Sequence, residues 1–291
     1  MVQVFRLAYV HFGTPEIARM LRYYQGVVGL SVVEQDDERA YVSTSIDHHN
    51  IMLSTSDESG LIGFGLQLMP NISAREAAQE LNRNGIKASL KTNAVSGIPE
   101  LVEFHDLDGY VVHLFSEMSV AAPGFQAHGV RPNKVGHLSV RVKDAKQSVE
   151  YYKQFGFTNT DWIEDFFGFM TCNRDHHVLN FATSDHKAMH HLAFELRDYT
   201  QLISAMDHLG KNDIPILWGP SRHGAGHNIA TYHRDPDGNM IELFTDADIY
   251  IPELGMFEPR PWHENFPQKP RVWGTEECMT RWGTSFEQSL V

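Results

Sequence analysis

Hydrophobic and polar positions alternate in short runs along most of this chain, and turn formers separate the runs, a pattern that predicts many brief strands and few helices. Leu7-Ala8-Tyr9-Val10-His11-Phe12 reads as the first strand. Thr14-Pro15-Glu16 then supplies an N-cap, a proline at the first helical position and an early acid, so a helix should run to about Tyr24. Short strands follow around residues 31–34, 40–45 and 50–54, and a glycine-broken strand covers 63–68. Ser73 followed three residues later by Glu76 has the spacing of a capping box and opens a second helix that ends near Asn84-Gly85. Strands at Val102–His105 and Tyr110–Phe115 are joined by Asp106-Leu107-Asp108-Gly109. The mixture is α+β.

The same order then recurs. Gly136–Val140 is a strand, Asp144–Gln154 a helix, and strands follow near 158–163, 168–171 and 178–182; His191–Leu196 and the helix Tyr199–Leu209 begin a further unit. Tyr23 precedes Tyr151 by 128 residues, Ile86 precedes Ile214 by 128, and Gly109 precedes Gly238 by 129. Such constant spacing indicates a tandem duplication, with two strand-helix-strand-strand-strand units in each copy. The copies are read as domains 1–128 and 129–250, followed by a tail, 251–291. Matched across the copies, His11 falls on His137, Gly63 on His191 and His113 on Glu242. The second copy therefore presents two histidines and a carboxylate where the first presents His, Gly and His.

Glu242 lies within Met240-Ile241-Glu242-Leu243-Phe244, the second strand of a hairpin turned by Asp235-Pro236-Asp237-Gly238-Asn239. A carboxylate flanked by apolar residues needs a cation or strong donors beside it, and a metal ion would serve. Composition narrows the choice of metal site. Only Cys172 and Cys278 occur, too few for a thiolate site or a disulfide framework, whereas there are 17 histidines, two pairs of them at His176-His177 and His190-His191. The net charge of −13 argues against nucleic acid or an anionic membrane as partner. With no apolar run of membrane-spanning length and no signal-like start, a cytosolic location is expected. His137, His191 and Glu242, on the first, middle and last strands of the second copy, can converge as the facial triad of a non-haem Fe(II) enzyme. Three coordination positions would stay open, enough for two oxygens of a chelating substrate and one dioxygen.

Taken together, Gly136-His137-Leu138, Arg174-Asp175-His176-His177-Val178, His190-His191-Leu192-Ala193-Phe194, Gly219-Pro220-Ser221-Arg222-His223-Gly224, Tyr232 and Asp235 through Glu242 resemble the type I extradiol catechol dioxygenases of the vicinal oxygen chelate superfamily. The resemblance spans roughly residues 5 to 275, with specific motifs only in the second half. It implies paired βαβββ modules in two similar barrel-like domains, the first without a complete metal triad. It also implies Fe(II), or Mn(II) as in some relatives, and O2 as co-substrate, opening a catechol-type ring beside its vicinal hydroxyls to a muconic-semialdehyde-type product.

Residue by residue, the resemblance makes His137, His191 and Glu242 the metal ligands and His177 the acid/base histidine. His223 and Tyr232 become residues beside the metal-bound substrate and dioxygen, and Phe169 a wall against the ring. His176 is expected to face the other side. The proline-rich, aromatic tail should lie over the barrel mouth or at a subunit contact, where Arg260, His263 or Arg271 could reach a substituent. A homo-oligomer, with a tetramer favoured, is the expected assembly. Two other functions are open to chains built of such modules: a glyoxalase-like metal-dependent isomerase or thiol transferase, and a non-catalytic ligand-binding protein.

Overall fold

A computed structural model describes residues 2–124 and 126–285; the last residues of the tail, 286–291, lie outside the described part. The chain divides into two compact units, residues 1–135 with 151–157, and residues 136–150 with 158–291. Its first run of elements is β1 (Val4–Thr14), α1 (Ile17–Tyr23), β2 (Ser31–Gln35), β3 (Arg39–Ser43), β4 (Ile51–Thr55), β5 (Gly60–Leu68), α2 (Ala74–Arg83), β6 (Ser89–Val95), β7 (Ile98–His105) and β8 (Val111–Phe115). The second run is β9 (Lys134–Val142), α3 (Ala145–Tyr152), β10 (Thr158–Ile163), β11 (Phe167–Thr171), β12 (Leu179–Thr183), β13 (Ala188–Glu195), α4 (Tyr199–Lys211), β14 (Trp218–Arg222), β15 (Ile229–Arg234) and β16 (Met240–Thr245). The tail adds β17 (Tyr250–Ile251), β18 (Met256–Phe257), β19 (Val272–Trp273), α5 (Thr275–Met279) and β20 (Trp282–Gly283).

The first sheet has the order β2-β3-β4-β1-β5-β8-β7-β6. The second runs β10-β11-β12-β9-β13-β16-β15-β14, each strand eight numbers later than its counterpart, with β19 and β20 of the tail added at the two ends. In both sheets the central contacts join two βαβββ modules, and within each module the first strand pairs in parallel with the last. Several local features follow from single residues. Ser73 and Glu76 make the reciprocal capping box at the start of α2. Asp235 accepts the backbone N–H groups of Asp237 and Asn239, and Gly238 takes φ 84°, so the hairpin closes between β15 and β16. The helix after β1 starts later than Thr14 implies: Thr14 ends the strand, and Glu16 is the N-cap. The strand β6, Ser89–Val95, has a mostly polar, half-exposed sequence and gives no hydrophobic signal.

Backbone register corrects the match between the copies. The Val10 N–H donates to the carbonyl of Asn50, and the Leu138 N–H to that of Val178, each at 3.0 Å. The counterpart of Leu138 is therefore Val10, that of His137 is Tyr9, and that of Ser139 is His11. Tyr9, Gly63 and His113 stand where the second copy has His137, His191 and Glu242. Gly63 has no room for a ligand, because a Cβ there would lie 2.3 Å from the Val111 carbonyl oxygen. Tyr9 and His113 satisfy each other by a hydrogen bond of 2.5 Å. Among the described residues no helix is long and apolar enough to cross a membrane.

Candidate active site

Strands β9, β13 and β16 are consecutive in the second sheet, and each contributes one side chain to a common point. His137 Nε2 lies 3.0 Å from His191 Nε2, and each lies 3.1 Å from Glu242 Oε2. All three residues are buried, Glu242 to 1% exposure. Alternation along β13 selects His191 for this point, while its neighbour His190 meets it only edge-on through Nδ1, at 2.7 Å.

The donor set fits a divalent cation. Asn180 donates to Ser139 Oγ, which lies 3.0 Å from His191 Nε2 and so flanks the converging atoms. Burial lowers the pKa of His137, which keeps its imidazole neutral. Burial by itself would raise Glu242, but the facing imidazoles of His137 and His191 outweigh it and hold the carboxylate well below its usual range. Tyr232 donates to Glu242 Oε2 at 2.9 Å and Asn228 to Oε1 at 2.8 Å. These bonds orient the carboxylate without neutralising it, and among the described residues no lysine or arginine lines the cavity. Two imidazoles and one carboxylate converging in a buried space form a nitrogen and oxygen ligand set that suits a divalent cation.

One cavity brings together all seven residues singled out in the sequence: His137, Phe169, His177, His191, His223, Tyr232 and Glu242. The His177 ring sits 4.1 Å from that of His137 and 5.2 Å edge-on to Phe169. Burial first, and then the neighbouring His137, lower the His177 pKa well below the ordinary histidine value, so it stands as a neutral base. His223 donates from Nδ1 to the Met279 carbonyl at 2.9 Å, stacks on Trp218, and turns Nε2 toward the Tyr232 hydroxyl at 3.3 Å. Burial and the nearby Glu242 raise the Tyr232 phenol, which therefore remains a donor.

Other contributors had no signal in the sequence. Ser139 and Asn180 flank His191 from β9 and β12, and Asn228 holds Glu242 from the residue before β15. The tail supplies Cys278 and Met279 to the cavity wall, beside Ile163, Phe166 and Phe167. Burial pushes the Cys278 thiol up to about 12, so it lines the wall as an uncharged group. None of the three basic tail residues that could have reached a substituent lines this cavity, although Arg260 lines a neighbouring pocket that shares His137 and His177. Arg260 pairs with Glu258, Arg271 pairs with Glu277 and lies over Trp273, and His263 is buried against Asp248.

His227, Asp248 and His263 form a second cluster with metal-ligand chemistry. It is satisfied by its own protons. His263 Nδ1 accepts the Arg260 N–H, so its proton lies on Nε2 and is donated to Asp248, which also accepts from His227 and from the Trp262 indole. The cluster is a latch holding the tail.

Comparison with known proteins agrees with this arrangement. Residues 134–243 match the family model of the Glyoxalase/Bleomycin resistance protein/Dioxygenase superfamily. The chain is 21% identical to a manganese-dependent 2,3-dihydroxybiphenyl 1,2-dioxygenase of Geobacillus genomosp. 3, over 93% of this chain and 94% of that protein. It is 22% identical to a metapyrocatechase of Pseudomonas sp. (strain CF600), over 84% and 87%. Homoprotocatechuate 2,3-dioxygenase from Brevibacterium fuscum, solved with 3,4-dihydroxyphenylacetate, superposes with a TM-score of 0.84 at 20% identity, covering 99% of this chain and 92% of that one. The second half of this chain thus carries a domain of the glyoxalase, or vicinal oxygen chelate, superfamily, and its homologues are extradiol dioxygenases.

Proposed function

We propose that this chain is an extradiol dioxygenase that opens a catechol-type ring next to its two hydroxyls, consuming both atoms of O2. The observation that carries the reading is the convergence of His137, His191 and Glu242 in a cavity that also holds a neutral imidazole and a protonated phenol. Iron(II) or manganese(II) held by these three side chains would chelate the vicinal hydroxyls and activate dioxygen. Either ion suits two imidazoles and a carboxylate; one relative of the chain is named as manganese-dependent.

The remaining work falls to the protein. His177 accepts a proton from a catechol hydroxyl as the substrate enters and returns it to the reacting oxygen. Tyr232 and His223 border the same cavity, the Tyr232 phenol holding Glu242 in place and the His223 ring turning Nε2 toward that phenol beside the space for substrate and dioxygen. Ile163, Phe166, Phe167, Phe169 and Met279 exclude water and pack on the ring and its substituent. Among the described residues no lysine or arginine lines that wall, which suits an uncharged substituent such as hydrogen, alkyl or aryl.

The direct test is anaerobic loading with Fe(II) or Mn(II), addition of catechol or 3-methylcatechol, and then admission of oxygen. A yellow ring-opened product should appear with both, and 3,4-dihydroxyphenylacetate should react poorly. No product with either metal would sink the proposal. Assembly into a homo-oligomer, with a tetramer favoured, belongs to the same reading, because Leu254, Phe266, Val272 and Trp282 of the tail are exposed. Sedimentation at micromolar concentration should show a species several times the 33.1 kDa chain mass, and only the monomer would contradict it.

A further inference from the structure

Behind His177 lies a buried hydrogen-bonded chain that the proposed reaction does not yet use. His177 Nδ1 is 2.8 Å from His176 Nδ1, and His176 Nε2 is 3.0 Å from Asp161 Oδ2. Asp161 and His176 are exposed by 2% and 1%. The His176 ring is locked in place: it stacks on Phe257 at 5.0 Å, and a Cβ on Gly226 would come within 2.9 Å of its Nδ1. Asp161 is held as firmly, accepting the Arg271 backbone N–H on Oδ1 at 2.7 Å and the Trp273 indole N–H on Oδ2 at 2.8 Å. Both donors come from the tail around β19, which pairs with β10 beside Asp161.

With both imidazoles neutral, the hydrogen bonds allow one arrangement of protons in this chain. A carboxylate only accepts, so His176 must carry its proton on Nε2. The Nδ1 of a neutral His176 is then a lone pair, and at 2.8 Å it requires a proton on Nδ1 of His177. A neutral imidazole has one such proton, which leaves His177 Nε2 bare. A base that must take a proton from a substrate hydroxyl needs its free nitrogen on the substrate side, and an imidazole whose tautomer is unspecified spends part of its time with an N–H there instead.

We infer that Asp161 and His176 are positioning residues that fix His177 in the tautomer presenting a bare Nε2 to the substrate, with the tail strand β19 completing the arrangement. The inference rests on the proposed ring cleavage for its catalytic consequence, and on geometry alone for the proton positions. Two measurements test it. In zinc-loaded protein, which is diamagnetic, long-range proton–nitrogen correlation spectra should place the His177 proton on Nδ1 and the His176 proton on Nε2, with the single-histidine variants used for assignment. In the iron-loaded enzyme, His176→Leu should lower kcat about tenfold to a hundredfold while KM and metal content stay close to wild type. His176→Asn, which keeps an oxygen acceptor where Nδ1 stood, should recover most of that loss. A His177 proton on Nε2, a doubly protonated His176, or equal kcat losses in the two variants would each overturn the inference, and the wild-type spectra decide the matter even where a variant fails to fold. A wild type with these tautomers that cleaves no catechol would refute the proposed function and leave the proton assignment standing.

Discussion

Glu242→Ala should empty the metal site, reducing bound divalent metal from about one equivalent per chain to near none. The carboxylate is the one charged member of the ligand set, and the two imidazoles that remain offer a hydrated cation little compensation for its lost water. Glu242→Gln should behave alike, although it nearly preserves the shape and leaves Tyr232 or Asn228 an oxygen to bond. The pair of variants thereby separates charge from packing. Thermal unfolding offers a second readout. A ligand that binds only the folded state at about a hundred times its Kd stabilises it by about 2.7 kcal/mol, so added Mn(II) should raise the wild-type midpoint and leave that of the Glu242 variants unmoved. Retention of a full equivalent by Glu242→Ala would show that the ion sits elsewhere. Two equivalents in the wild type would mean that the His227, Asp248 and His263 cluster also takes metal, against the hydrogen-bond pattern that satisfies it.

The second large effect is on turnover. His177→Asn should keep its metal and still bind catechol, while kcat falls about a hundredfold or more, the usual scale for a lost general acid/base. Its ring borders the cavity beside His137 without joining the three converging ligand atoms, so removing it costs the site neither a ligand nor its charge. Asparagine retains polarity and can bond to His176, but it has no nitrogen able to take a proton at neutral pH. Metal analysis, anaerobic catechol titration and steady-state kinetics on one preparation separate the three quantities. If His177→Asn loses its metal while His191→Asn keeps it, the ligand assignment is wrong and the site must be rebuilt around the other pair of histidines.

Much of this site is legible in the sequence because its side chains are chemically conspicuous and sit at strand positions that the repeat marks twice. A carboxylate inside an apolar strand, a histidine at the same position in two modules, a capping box at Ser73 and a hairpin at Asp235–Asn239 are all local signals, and local geometry honours each of them. Strand periodicity could not decide the register between the copies. A slip of two residues keeps every side chain on the same face, so His11 and Tyr9 are equivalent to any pattern of period two. The backbone bonds of Val10 and Leu138 settle the matter in favour of Tyr9.

Tertiary structure alone decided which residues surround the conspicuous ones. Asn180 becomes a partner of the site because parallel pairing sets β12 beside β9, Asn228 because the antiparallel β15–β16 hairpin brings it to Glu242, and Asp161 meets His176 across the β10–β11–β12 side of the second sheet. The tail shows this most plainly. Arg260, Arg271 and His263 looked like candidates for reaching the substrate, yet Arg271 is held by Glu277 and His263 by Asp248, none of the three lines the cavity, and it receives the apolar Cys278 and Met279 instead. An uncharged wall needs contacts, not particular residues, and contacts between segments more than a hundred residues apart depend on the packed chain. The candidate ligands were thus written in residue identity, while the hydrogen bonds behind His177 and the apolar lining of the cavity were set by the way the chain closes on itself.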